Sequence, residues 1–150
     1  MIITVLGVIK MKRIFTFVIA TCLMMVCSVG FAAGEHKVLA KQQQVAEKFM
    51  DAFDAEPSPL YAQVATGFGE NLKKAVTEES FAKIQKQVRA QYGMMKEANF
   101  FIFQRYDKMD SVIYNASFTK EKMVRVVFVF DKQNKLIDFA FTPVQPAANK

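Results

Sequence analysis

The spacing of apolar residues changes once along this chain, near Gly93, and that change limits what the chain can fold into. Before it, apolar positions recur every three or four residues, the repeat of an α-helix. After it they alternate, the repeat of a β-strand. In the first half Val38, Val45, Phe49 and Phe53 form a stripe, with Ala46 and Ala52 beside them. Lys41, Gln42, Gln43, Glu47 and Lys48 take the other side. The spacing predicts a helix over 35–54, stopped by Pro57 and Pro59. A short second helix carries Leu60, Tyr61, Val64 and Ala65, with Ser58 as its expected cap, and Gly67 and Gly69 then break the chain. Thr77 is a good N-cap for a third helix, because Glu78 and Glu79 in its first turn complement the helix dipole. Phe81, Ile84, Val88 and Tyr92 line one side of that helix, and Gly93 is a natural stop.

Four apolar-rich runs follow, over 98–106, 112–118, 123–130 and 136–142, joined by short polar turns that favour an antiparallel meander. Val112, Tyr114, Ala116 and Phe118 share one face of the second run. Val124, Val126, Phe128 and Phe130 do so in the third, and Ile137, Phe139 and Phe141 in the fourth. This face is strongly apolar and must be covered by the helices, whereas the reverse face is mixed rather than polar. Helices first and a curved four-stranded antiparallel sheet second make an α+β fold in a single domain.

Three stretches carry a resemblance: the helix VAEKFMDAFD, the helix TEESFAKIQKQVRAQYGMMKEA, and the closing strand–turn–strand MVRVVFVFDKQNKLIDFAFTP. Together they resemble domain-of-unknown-function family 3887, within the nuclear transport factor 2-like (cystatin-like) cone folds. The chain lacks the Trp usual in the family's third helix and has Asp138 where a Gly is common. The resemblance implies an architecture and is silent on chemistry. Some cone-fold relatives are isomerases or dehydratases that use an Asp or His with a Tyr inside the cone. In that analogy Tyr106, Tyr114 and Asp138 are the sheet-borne candidates. Alternation puts Asp138 on the face opposite Phe139, so an interior catalytic Asp is not expected.

The remaining chemistry has bland explanations. His36 is the lone histidine and falls in a stretch, 34–37, expected to fray. The pairs Asp51/Asp54 and Asp107/Asp110 have the spacing of metal or acid–base carboxylates, but helix polarity and turn chemistry account for both. Thr66-Gly67-Phe68-Gly69-Glu70 has two glycines without the Lys-Ser or Lys-Thr of a phosphate loop, and reads as a turn. Lys73, Lys74, Lys83, Lys86 and Arg89 form a basic stretch diluted by Glu78 and Glu79, and read as a solvated surface. No catalytic residue, metal site or cofactor is expected.

Met11–Ala33 has a basic start (Lys12, Arg13), an apolar run from Ile14 to Val29, and small residues after it. Gly30 and Ala32 suit the −3 and −1 positions of a signal peptidase site, so cleavage is expected between Ala32 and Ala33. The run falls short of the roughly 20 residues of a stable membrane anchor. Met1–Lys10 fit this plan poorly, and Met11 is the more natural start. The expected division is a signal over 1–32 and a domain over 33–150. Cys22 and Cys27 both lie in the leader, so the mature domain has no disulfide and depends on its core. Removing Lys10, Lys12 and Arg13 takes the net charge from +6 to +3, which does not point to nucleic acid.

The chain carries 15 Phe, more than one helix layer covers when alternate sides of a strand face apart. Two kinds of second cover follow. One is a partner subunit on the reverse face at Ile113, Val127, Val129 and Ala140. The other is a small apolar ligand in the cone mouth, with Phe101, Phe103, Tyr106, Tyr114, Phe128 and Phe139 as its lining. The expected protein is an exported, non-enzymatic binding or interaction module, with a homodimer through its sheet as one form. The alternative is a carrier of an apolar molecule or a small cavity enzyme.

Overall fold

Phe49 stands at the centre of this molecule because the long first helix lays its apolar stripe across a sheet made from the second half of the chain. The computed structural model describes residues 33–54 and 58–144. The leader and Ala32 of the expected cleavage point lie outside the described residues, and Ala33 opens the first helix.

Helix α1 spans Ala33–Asp54. It is followed by a single turn, α2 (Tyr61–Val64), and a 3-10 turn over Ala65–Gly67. A short helix, α3 (Glu70–Ala75), comes next, and then α4 (Glu78–Tyr92). Strands β1 (Met95–Arg105), β2 (Asp110–Phe118), β3 (Val124–Phe130) and β4 (Leu136–Pro143) pair in sequence order. All pairings are antiparallel, and the sheet is curved and unclosed. Register shifts interrupt β1 between Phe100 and Ile102, and the β3–β4 ladder after Val129. Such bulges add local twist and bend the strand that carries them.

The α+β expectation holds, with local corrections. Residues 34–37 are helical rather than frayed, since α1 begins at Ala33. Ser58 does not cap α2. Its hydroxyl instead donates to the Ala52 carbonyl at the end of α1, and Leu60 takes the cap position, its N–H donating to the Gln63 side chain at 3.3 Å. The stretch after Gly69 forms α3, an element the helical spacing did not announce because six residues hold less than two turns of pattern. Ile137 does not share the apolar face of β4. The register shift beside it turns it out to 40 % exposure and gives its place to Leu136, which is fully buried.

The expected caps of α4 are present. The Thr77 hydroxyl accepts from the Ser80 N–H at 3.3 Å, and Gly93 ends the helix at φ 85°. A side chain at Gly93 would also strike Thr119, whose hydroxyl accepts the Met94 N–H. The turn into β1 therefore has two reasons to need glycine.

The core lies between the helices and one face of the sheet. Phe49 of α1 meets the rings of Phe53, Phe68, Phe81, Phe128 and Phe139, with centroids 4.6–6.1 Å apart. Phe81, Ile84, Val88 and Tyr92 of α4 are buried as their spacing implied. From the sheet come Val112, Tyr114, Ala116 and Phe118, then Val124, Val126, Phe128 and Phe130, then Leu136, Phe139 and Phe141. Burying each large apolar side chain contributes about 1.5–3 kcal/mol, and no cysteine stands among the described residues, so they rest on this core.

One buried polar cluster closes the end of this core. Gln42 sits on the apolar stripe, four residues before Ala46 and seven before Phe49, and is fully buried. It is not on the solvated side where its polarity suggested. Its Nε2 donates to Asp110 Oδ2 at 2.9 Å and to Asn134 Oδ1 at 3.0 Å. Asp110, 1 % exposed, also meets Lys132 at 2.7 Å and Arg105 at 3.8 Å, and Arg105 reaches Glu35 at 3.4 Å. The cluster ties α1 to both the β1–β2 and β3–β4 turns.

Candidate functional site

Strand alternation gives the sheet a second face, and the ladder registers arrange it in three rows. The central row is Ile102–Ile113–Val127–Ala140. On one side runs Asn99–Asn115–Arg125–Thr142, and on the other Gln104–Ser111–Val129–Asp138. An apolar band thus lies between two polar rows. Ile113, Val129 and Ala140 are buried yet stand outside the main core cluster. At the edge of this face Phe101 is 52 % exposed, and the Arg125 guanidinium lies over its ring at 5.1 Å, within cation–π range.

The polar rows contain groups without partners. Ser111 Oγ, Asn115 Oδ1 and Arg125 Nε are each buried with no hydrogen bond. Such atoms cost about 1–3 kcal/mol apiece unless something satisfies them. Asp138 belongs to the same face. Burial pushes its carboxyl up to about 6, only partly offset by the Phe139 N–H, which donates to Oδ1 at 2.8 Å.

The six aromatics expected to line one mouth are divided between the two faces. Phe128 and Phe139 pack on Phe49, and Phe103 packs against the edge of that core. Tyr114 meets Phe128 and Phe100 on the same side. Its hydroxyl is buried without a hydrogen bond of good geometry, and burial followed by the Glu47 charge pushes its ionisation up to about 12, the Gln43 side chain lowering it slightly. Phe101 belongs to the outer face, and the Tyr106 hydroxyl donates to Gln104 Oε1 at 3.1 Å. The four residues expected to face a partner fall together: Ile113, Val127 and Ala140 share the central row and Val129 adjoins it.

The carboxylate pairs part company. Asp107 is exposed while Asp110 is buried in the cluster with Gln42. Asp51 and Asp54 are both exposed, and Asp51 is held above the usual carboxylate range by partial desolvation and by Asp54. Among the described residues no group of His, Cys, Asp and Glu is placed to hold a metal ion, and no helix is long and apolar enough to cross a membrane. The basic stretch spreads over α3 and α4, and Lys73 and Lys83 pair with Glu70 and Glu79 on their own helices. His36 lies exposed in the first turns of α1.

A second concave feature was not foreseen. Between α1, the Thr66–Gly67 turn and the β3–β4 turn lies a cleft of about 320 Å³, with Lys41, Lys48 and Lys135 among its lining residues. Lys41 and Lys48 share one side of α1, and only the packing of the β3–β4 turn against that helix brings Lys135 to them. Gln42 and Asp110 fall at core positions of their local repeats, but their polarity pointed to a solvated side and a turn, and only the packing buries them. Ser111, Asn115 and Arg125 were legible only as polar residues alternating with apolar ones.

No curated protein and no solved structure matches this chain. A family model does, over residues 46–139, more than half of the chain. The matched stretch runs from the core-facing part of α1 to Phe139 and takes in β1 to β3 and the first half of β4. The chain therefore belongs to the family described as Protein of unknown function (DUF3887).

Proposed function

We propose that the domain is a non-enzymatic interaction module of an exported protein, and that its partner is a second copy bound through the outer face of the sheet. The observation that carries this reading is the self-complementarity of the three rows. A two-fold axis laid along Ile102–Ile113–Val127–Ala140 exchanges the two flanking rows. Isologous interfaces require this kind of exchange. Asn115 of one copy then opposes Ser111 of the other, so the Ser111 hydroxyl donates to Asn115 Oδ1. Arg125 opposes Val129, one strand spacing of roughly 4.8 Å from Asp138, so its Nε donates to that carboxylate. The three orphaned atoms of this face gain partners together, and the partly exposed Ile102 and Val127 of the apolar band are covered. Aligned sheets cross at about −30°, which moves the corners most and the central row least.

The leader composition supports export. The helix-first order and the curved, unclosed meander support kinship with the nuclear transport factor 2-like cones. A carrier or cavity enzyme needs space between the helices and the sheet, and Phe49 with its five ring neighbours occupies the centre of that space.

Native mass spectrometry and light scattering on protein recovered after export test the reading. The expected result is a dimer whose mass begins near Ala33. Arg125→Glu and Asp138→Arg should each give monomers, and the double reversal should restore the dimer. A monomer throughout a concentration series overturns the pairing, and an intact leader overturns export.

A further inference from the structure

We propose that the cleft between α1 and the β3–β4 turn is a binding site for a small phosphate-bearing anion. This site lies away from the outer sheet face and stands independently of the dimer. Its first wall is α1, where Lys41, Gln44 and Lys48 recur at three- and four-residue spacing and so share one side of the helix. Its second is the β3–β4 turn, which presents Asn134 and Lys135. The third is the Thr66–Gly67 turn, where Gly67 lies so close to Val45 that a Cβ there would collide.

The turn is held in shape before any ligand arrives. Asp131 Oδ1 accepts the N–H groups of Gln133 and Lys135, both at 2.9 Å. Asn134 adopts φ 62°, and its Oδ1 accepts from the buried Gln42 of α1. Gln42 thereby fixes the distance between two of the walls, and the Asn134 amide keeps its own donors for the cleft. Lys135 Nζ donates to the Thr66 carbonyl at 3.1 Å, pinning its ammonium across to the third wall with further protons to give.

Charge separates this place from the basic stretch on α3 and α4. There Lys73 and Lys83 have glutamate partners. Among the described residues Lys41, Lys48 and Lys135 form no ion pair, and no carboxylate lines the cleft. The acids close by are Asp51, one turn beyond Lys48 on the exposed side of α1, and Asp131, which accepts the Lys135 N–H within the turn. Three lysines lining one cleft beside amide donors suit a ligand carrying concentrated negative charge and several acceptor oxygens. A phosphate monoester, with a charge of about −1.5 to −2, has both. A volume of about 320 Å³ is at the small end of ligand sites and suits one or two phosphates with a small body.

Titration calorimetry of the full chain with inorganic pyrophosphate and with ribose 5-phosphate, with ribose as the uncharged control, tests the site. Both phosphates should bind and ribose should not. Lys41→Gln, Lys48→Gln and Lys135→Gln should each weaken binding by about threefold to fivefold, and the triple variant should abolish it. Lys73→Gln with Lys83→Gln should leave it unchanged. Amide shifts in NMR should centre on Gln44 and Asn134, and the monomeric Arg125→Glu variant should bind as the parent does. Absence of binding by either phosphate overturns the proposal, as does an equal loss in the Lys73/Lys83 control.

Discussion

The two faces of the sheet are built by the same strands from alternate residues, yet they settle their polar groups to different degrees. On the helix side the end cluster pairs most of its buried ions and amides, leaving Gln42 Oε1 and, deeper in the core, the Tyr92 and Tyr114 hydroxyls over. Asp110 takes Lys132, Arg105 and Gln42, and Gln42 takes Asn134. On the outer side Ser111 Oγ, Asn115 Oδ1 and Arg125 Nε stay without partners. The difference follows from cover. A helix brings its own polar residue to a place where a strand needs one, whereas among the described residues no helix brings one to the outer face. A face whose polar groups are unsettled within one molecule is where a second molecule has most to offer.

The largest effect should come from the centre of the covered face. Phe49→Ala removes the ring that five others touch and should cost about 3–5 kcal/mol in denaturant unfolding. A loss below about 1 kcal/mol would mean that the space around Phe49 is loosely filled and would reopen the carrier reading. Next is the end cluster. Asp110→Ala leaves Lys132 and Gln42 facing a buried void and should cost roughly 3 kcal/mol, with Asp110→Asn costing less because it keeps an acceptor for Gln42. Equal costs for the two variants would show that charge, rather than hydrogen bonding, holds α1 to the turns.

The smallest effect sharpens the outer face through pH. Asp138 has a folded-state value of about 6 against an ordinary 3.8. The folded protein therefore binds this proton more tightly than the unfolded chain does. The stability it contributes is fully present below about pH 4 and is lost as the pH rises through 6. The full shift corresponds to about 3 kcal/mol; solvent reaching the half-buried carboxyl should reduce the loss to about 1–2 kcal/mol, and Asp138→Asn should flatten that part of the profile. In the proposed dimer the partner's Arg125 would favour the carboxylate and should draw the value back down. Carbon NMR of the Asp138 carboxyl should therefore show it titrating lower in concentrated than in dilute protein. A value independent of concentration breaks the link between the two orphaned rows.

Much of this was legible along the chain. The spacing of Val45, Phe49 and Phe53 placed α1, Thr77 and Gly93 placed the ends of α4, and alternation assigned nearly every strand residue to its face. Ile137 escaped because a register shift beside it reverses the alternation, and a shift is decided by the partner strand. The α3 helix escaped because its six residues are too few to show a repeat. The aromatics proposed for one mouth were separated by the same alternation that grouped them. Phe101 is the extra residue between Phe100 and Ile102, and the extra residue puts it out of phase with Phe103.

Sequence by itself determined the elements, their order and the apolar band of the outer face, because those depend on spacings of two to four residues within one segment. Tertiary structure alone decided that Gln42 is a buried link, that Lys41 and Lys48 meet Lys135, and that Ser111, Asn115 and Arg125 lack partners. Each of those facts depends on the distance between atoms far apart in the chain. That distance is set by how α1 and the turns pack, and no local repeat encodes it.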